Sequence, residues 1–490
     1  MQPITRRGAL VLGGLGAVGA VAGGAGLLWA WASVPSSVVG GKFVQPAELR
    51  SVDGLLQVRL AAAPGRVQIG GRTASALGYN GSIPGPTLRL KPGDRLAVAL
   101  HNGLGDPTNL HVHGLHVSPE GNGDNPFVMV EPGDSFDYEY RLPADHPPGV
   151  YWYHPHHHGF VADQVFGGLY GAIIVDDPEP IAATRERVLV VSDVTLDASG
   201  QVAAASAMDR MRGREGNLVL VNGQVAPGLA ARPGDRERWR VVNACVSRYL
   251  RLRLDGQGLQ LLGIDSGRLR SPRTVDEVLL APGNRADLLV TAAEGSSLLR
   301  ALPYDRGGVA GMGGAGSGSQ TDAVTLASLL VSGGAAGTLP VIPGQAEPLD
   351  LRSAAVTARR ELTFAMGAGE GMGGGMMMGF TINGREFDPG RVDTTVQAGS
   401  VEEWTLRNTS PMDHPVHLHV WPMQIVEEDG RAAPAALWQD VVNVPALGTV
   451  VVRIAFSGFA GRTVYHCHIL DHEDRGMMGV IEAVRGASPG

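Results

Sequence analysis

Cysteine is almost missing from this 490-residue chain, which has only Cys245 and Cys467. At most one intrachain disulfide could form, and none forms if Cys467 has another role, so thiol content says nothing about compartment. Aromatic residues make up only 5%, and no long stretch keeps a helical period. With 70 glycines and 32 prolines, the composition excludes a helical bundle and favours short strands joined by many turns. Basic charge is also lacking: the net charge is −8, and it becomes −10 without the first 32 residues, which carry Arg6 and Arg7 and no acid. Nucleic acid is therefore excluded as a partner. Beyond the N-terminus no apolar run is long enough to cross a bilayer.

The N-terminus is the exception. Thr5-Arg6-Arg7-Gly8 leads into a Gly/Ala-rich apolar run that ends at a cleavage-like Ala30-Trp31-Ala32. Residues 1–32 resemble a twin-arginine signal, which implies handling by the twin-arginine export machinery and a periplasmic or extracellular destination. An uncleaved membrane anchor is the alternative.

A chain of this length is too large for one hydrophobic core, and an internal repeat shows how it divides. An Asn-Gly turn, a Gly-containing turn and a closing Asn recur three times. The copies are Asn80-Gly81, Gly93-Asp94 and Asn102; Asn222-Gly223, Gly234-Asp235 and Asn243; and Asn383-Gly384, Gly399-Ser400 and Asn408. In each, the Asp or Ser precedes the closing Asn by eight residues. Three related β-domains are expected, at residues 43–177, 184–333 and 358–486, with Pro/Gly-rich connections between them.

Nine residues past the closing Asn, the first copy has His111-Val112-His113 and the third His417-Leu418-His419, whereas the second has Leu252 and Leu254. On a strand, residues i and i+2 share a face, so each pair offers two imidazoles to one metal cluster. His154-Pro155-His156 and His466-Cys467-His468 repeat the arrangement further along. Eight imidazoles can converge only if the first and third domains face each other, which leaves the second as a bridging spacer. His101, His116, His146, His157 and His158 fall outside this symmetry and are read as structural residues or as supports behind the ligands. Cys245, in the second domain, is read as a small buried residue.

Cys467 projects to the strand face opposite His466 and His468, and so calls for a second metal. His414 and His472 complete a His2Cys set, with Met477 as a weak axial thioether, the composition expected of a blue electron-transfer copper.

Together, His111-Val112-His113-Gly114, His154-Pro155-His156, His414-x-x-His417-x-His419 and His466-Cys467-His468-x-x-x-His472-x-x-x-x-Met477 resemble the four motifs of the three-domain multicopper oxidases, of the bacterial laccase and copper-efflux type. The resemblance implies an all-β chain of three cupredoxin-like Greek-key sandwich domains. It also implies four coppers: type 2 on His111 and His417; the type 3 pair on His113, His154, His156, His419, His466 and His468; and type 1 on His414, Cys467, His472 and Met477. Dioxygen becomes the electron acceptor, reduced to water by four one-electron steps, and a monomer is expected. Glu473 and Asp124 match acids with proton-relay roles in the family.

The reductant is less legible. Met366, Met372, Met376, Met377 and Met378 form a Gly/Met segment, and Met412 precedes His414 by two residues, which suits cuprous ion. The place of the family's substrate-binding acid holds Ser410 and Pro411, with Asp413 displaced, which weakens that choice. Phenols and aromatic amines, which need only an accessible edge of His472 or His414, are the broader expectation. Copper storage or delivery is the non-catalytic alternative, but it leaves the His-Cys-His triplet without a purpose. A copper-free structural protein would lack ligands that are complete here.

Overall fold

The computed structural model describes residues 40–308, 322–345, 347–369 and 377–486. The expected signal at 1–32 lies outside these residues, as do Met372 and Met376. Among the described residues strands hold 51% and helices 5%, so the fold is all-β. Among the described residues, no helix is long and apolar enough to cross a membrane.

The first unit contains β1 (Glu48–Arg50), β2 (Leu55–Ile69), β3 (Arg72–Tyr79), β4 (Thr87–Leu90), β5 (Arg95–Asn102), β6 (His111–His113), β7 (Ser135–Arg141), β8 (Gly149–His154), helix α1 (Val161–Gly167) and β9 (Gly171–Val175). The second contains β10 (Arg185–Val194), helix α2 (Ala207–Arg212), β11 (Leu218–Val221), β12 (Gly228–Ala231), β13 (Arg236–Asn243), β14 (Leu250–Leu254), β15 (Leu259–Ile264), β16 (Gly267–Val275), β17 (Val278–Leu280), β18 (Arg285–Thr291), β19 (Gly295–Leu302) and β20 (Val324–Val331). The third contains β21 (Ala358–Gly369), β22 (Met377–Ile382), β23 (Thr394–Gln397), β24 (Val401–Asn408), β25 (His414–Leu418), β26 (Met423–Glu428), β27 (Arg431–Gln439), β28 (Val441–Val444), β29 (Thr449–Ala455), β30 (Gly461–Cys467), helix α3 (Leu470–Glu473) and β31 (Met478–Val484).

Each unit is a pair of sheets. The second is ordered β11-β10-β13-β18-β15-β16 and β12-β20-β19-β14-β17; the third is ordered β22-β21-β24-β29-β26-β27 and β23-β31-β30-β25-β28. Strand for strand these are the same topology. The first unit, β3-β2-β5-β7 and β1-β4-β9-β8-β6, follows it without counterparts of β15, β16 and β17. Three apolar clusters fill the sandwiches, built on Leu60 and Tyr153, on Trp239 and Leu288, and on Trp404 and Val452, and a fourth around Trp152 and Val190 joins the first unit to the second. Phe43 packs in the second unit's core, and Lys42 bridges to Gly228, so the segment ahead of β1 lies against the second unit.

The sequence repeat has a mechanical cause. Asn80, Asn222 and Asn383 take φ of 53°, 52° and 53°, the left-handed region in which Asn is one of the few tolerated side chains. The side-chain Oδ1 of each accepts from a backbone N–H of the preceding long strand: Ala61, Val190 and Thr363. The closing Asn residues are buried, and their amides donate to backbone carbonyls that follow: Asp106 and Val130; Arg248 and Leu280; Met412, Val444 and Pro445. They fix the loop that leads into the strand where donors stand or fail to stand.

Candidate metal centre

The histidine pairs meet across antiparallel strands: His111 lies opposite His154 on β6 and β8, and His417 opposite His466 on β25 and β30. The intervening Val112, Leu418 and Cys467 point into apolar cores, so the imidazoles face outward from their own sandwich. Both outward faces meet. His111 stacks on His419 with ring centroids 3.9 Å apart, and His113 on His417 at 3.8 Å, so the first unit's pair lies against the third unit's pair in reversed order. All eight rings are buried.

Four of their outer nitrogens are engaged in ways that fix the inner ones. Nδ1 of His154, His417 and His466 lies 2.8, 2.7 and 3.1 Å from the carbonyls of Pro155, Asp440 and Cys467, and Nδ1 of His111 lies 2.9 Å from Asp124. Protonating those nitrogens leaves the Nε2 lone pairs turned inward. Nε2 of His111, His113, His154, His417 and His468 has no protein partner although buried. Nε2 of His156, His419 and His466 form a triangle with edges of 3.1, 3.2 and 3.3 Å. Burial first, then the neighbouring imidazoles, holds His111, His113, His417, His419 and His468 far below their ordinary pKa, and His154 at about 3; in His156, at about 4, Glu473 partly offsets burial. They are neutral at physiological pH, which is the ligand form. Neutral nitrogens crowded together without hydrogens to share fit a borderline cation such as copper.

Both acids expected from the sequence border this cage. Asp124 accepts from the Val112 N–H at 3.0 Å as well as facing His111, and lies 3.7 Å from His419 Nδ1. Burial raises it to about 8 against the opposing pull of that N–H. Glu473 Oε2 lies 3.1 Å from His466 Nδ1, and Oε1 lies 3.4 Å from His156. Burial would raise Glu473, but His156 and His466 outweigh it and hold the carboxyl well below the usual range.

The second set sits on the other face of β30. Cys467 Sγ is 3.3 Å from His414 Nδ1 and 3.8 Å from His472 Nδ1, all three fully buried. Burial raises the thiol, so only a bound cation would keep it as thiolate. Met477 is buried in the same cluster, and its carbonyl accepts from the Cys467 N–H at 3.0 Å. A thiolate and two imidazoles fit copper in either oxidation state.

Three expectations need correction. First, His414 and His472 expose no edge. Nε2 of His414 faces Ser410 Oγ at 2.8 Å, and Nε2 of His472 donates to the Met211 carbonyl at 3.2 Å. Helix α2 covers His472, and the buried Arg214–Asp471 pair, 2.5 Å at its shortest, locks α2 to α3. Second, counting from the closing Asn misplaces the middle unit. Leu250 pairs with Leu280 as His414 pairs with Val444, and Leu252 with Ala301 as Val416 with Cys467. The counterparts of His417 and His466 are therefore Arg253 and Arg300, not leucines, because the middle loop is one residue longer. Third, the middle unit is more than a spacer: a Cβ on Gly283 would come within 2.8 Å of the His468 ring. Asp413 is occupied elsewhere, accepting from Tyr304 Oη at 2.6 Å and Asn443 at 3.0 Å. Met366 packs on the third core, and Met412 is buried. Sequence reasoning missed Asp440, Arg285 and Met211; a charge at the mouth of an apolar strand, as in Arg285-Ala-Asp-Leu-Leu-Val and Asp440-Val-Val-Asn-Val, was the available signal for the first two.

Comparison with known proteins agrees with this geometry. Three family models described as multicopper oxidase match residues 62–180, 185–301 and 357–486. The multicopper oxidase MmcO of Mycobacterium tuberculosis is 30% identical over 462 residues, covering 85% of each chain. The multicopper oxidase mco of Staphylococcus haemolyticus is 28% identical over 421 residues, covering 84% of each. A solved multicopper oxidase of Campylobacter jejuni, titled a metallo-oxidase, aligns with a TM-score of 0.80 at 29% identity over 91% of this chain and 96% of that one. With three sandwiches, a buried imidazole cage and a His2Cys set beside it, the chain belongs to the multicopper oxidases, copper-dependent oxidoreductases with oxygen as acceptor.

Proposed function

We propose that the two donor sets act in series: His414, Cys467, His472 and Met477 receive single electrons, and His111, His113, His154, His156, His417, His419, His466 and His468 hold the centre at which dioxygen is reduced. Copper bound there supplies the one-electron redox chemistry and the activation of dioxygen. The polypeptide supplies the connection. Cys467 offers its sulfur to one set while its neighbours His466 and His468 belong to the other, so a few covalent bonds join the two; this observation carries the reading.

The side chains also govern protons and access. Glu473, buried with Oε2 3.1 Å from His466 Nδ1 and Oε1 3.4 Å from His156, passes a proton along the cage wall. Asp124 holds His111 and is placed to do the same beside His419. Full burial of the cage excludes bulk water from the reacting centre.

Phenols, aromatic amines and cuprous ion remain the reductant classes, and the cover over His472 favours cuprous ion. A ring cannot reach an imidazole edge that the Met211 carbonyl occupies, whereas a cation needs only soft donors at the surface of the cover, where Met208 is 41% exposed. The N-terminal arginine pair and apolar run support export, and the chain is read as a monomer.

The test is an absorption spectrum and copper count on copper-loaded protein, then oxygen uptake with a phenol, an aromatic amine and cuprous ion in parallel. An intense blue band, four coppers per chain as the family implies, and uptake without free peroxide are expected, with cuprous ion the fastest reductant. No blue band and no uptake after loading would overturn the oxidase reading, and faster phenol turnover would overturn the substrate choice.

A further inference from the structure

We infer that Arg285, in the middle unit that contributes no donor, is a positioning residue for the histidine cage, acting through Asp440 on His113 and His417. This rests on the cage being a copper centre.

The guanidinium is fully buried and touches all three units. Its Nε donates to the Val150 carbonyl of the first unit at 3.0 Å. Its two terminal nitrogens donate side by side to the Asp440 carboxylate of the third unit, both at 2.6 Å. Within its own unit it meets the Gly283 carbonyl at 3.2 Å and Asp265 at 3.2 Å. Paired donors of this kind fix the plane and direction of a carboxylate, which a single-point ammonium cannot do.

Asp440 then reaches two cage histidines by two routes. Its backbone carbonyl faces His417 Nδ1 at 2.7 Å, and its carboxylate Oδ1 lies 3.3 Å from His113 Nδ1 and 3.6 Å from His417 Nδ1. Among the described residues, His113 differs from His154, His417 and His466 in having no backbone carbonyl at its Nδ1; that nitrogen lies 3.3 Å from Asp440 Oδ1 and 3.5 Å from Arg285 Nη1. Of these two neighbours only the nearer Asp440 carboxylate can accept, so it is the group assigned to hold the proton on Nδ1 and leave Nε2 turned inward. Asp265 steadies the same segment by accepting from the Asp440 and Val441 N–H groups at 3.2 Å each.

The surroundings are shaped for this approach. Gly114, immediately after the first His pair, has φ +86°, and a Cβ there would stand 2.3 Å from an Arg285 terminal nitrogen and 2.8 Å from an Asp440 oxygen. The glycine that follows the pair is the space into which the Arg285–Asp440 pair fits. The adjoining Gly283 brings its backbone against His468 in the same way.

The experiment compares wild type, Arg285→Lys and Asp440→Asn after copper loading, reading copper content, the blue absorption band and the resting electron paramagnetic resonance spectrum. Lysine keeps the charge and loses the paired geometry; asparagine keeps the shape and puts a donor or a weaker acceptor at His113. The expected result in both is an unchanged blue band with the type 2 signal altered or lost, affinity at that position falling about 10–100-fold, as for other outer partners of metal ligands. A soluble Arg285→Lys with unaltered type 2 signal overturns the inference. If Arg285→Lys does not fold, Asp440→Asn decides by the same criterion. Parallel loss of the blue band and the type 2 signal in every soluble variant also overturns it, since a purely structural role predicts that. A wild-type protein lacking both signals would instead overturn the copper reading itself.

Discussion

The middle and third units share one eleven-strand order, yet the third carries the whole His2Cys set and half of the histidine cage, and the middle carries neither. The matched strands show why. Where the third unit has His414 and Cys467, the middle has Leu250 and Ala301, both in its apolar core. Where the third has His417 and His466, the middle has Arg253 and Arg300, which converge on Asp255 at 3.4 and 2.6 Å in a partly exposed ion cluster. The same two faces of the same strands are therefore packed with hydrocarbon and charge in one unit, and with sulfur and imidazole in the other. The strand order sets which face a residue serves, and the residue type sets whether that face binds a metal.

Cys467→Ser breaks this contrast most completely. It makes the third unit's inner face as metal-silent as the middle unit's, and the expected outcome is complete loss of the blue band with oxygen uptake reduced to background, read on a copper-loaded sample. Glu473→Gln comes next: with the carboxyl unable to exchange its proton, oxygen reduction slows about 100-fold or more while the blue band persists. Asp255→Asn, at the corresponding face of the middle unit, should leave the same rate unchanged.

Stability sharpens the comparison further. Leu252→His places an imidazole where counting from Asn243 would put a ligand, but that side chain points into the middle core. Thermal or denaturant unfolding should show a loss of about 3 kcal/mol with no extra copper bound. Arg253→His sits on the face that truly corresponds to His417, is partly exposed, and should shift stability by less than about 1 kcal/mol.

Much of this was legible in the sequence because it rests on short-range rules. The Asn-Gly turns need left-handed backbone, the His-x-His pairs need a strand's period of two, and Cys467 must turn away from its neighbours. What was not legible depends on packing between segments distant in sequence. The one-residue lengthening after Asn243 reverses which side of β14 is buried, and no local pattern marks it, since Leu-Arg-Leu-Arg-Leu alternates equally well on either face. The cover of α2 over His472 and the reach of Arg285 to Asp440 join residues 261 and 155 positions apart. Nothing near His472 and His414 in sequence announces a lid, so the sequence alone offers both as accessible edges.

The histidine cage also has a meaning for the life of the chain. His156 and His466, whose nitrogens meet at 3.1 Å, are separated by 310 positions. No emerging or truncated polypeptide can close that triangle until the final sandwich has formed and docked onto the first. Metal capture is thus linked to completion: binding energy is gained only by a finished molecule and is spent holding its two ends together. Copper acts as the clasp that distinguishes a whole protein from a partial one.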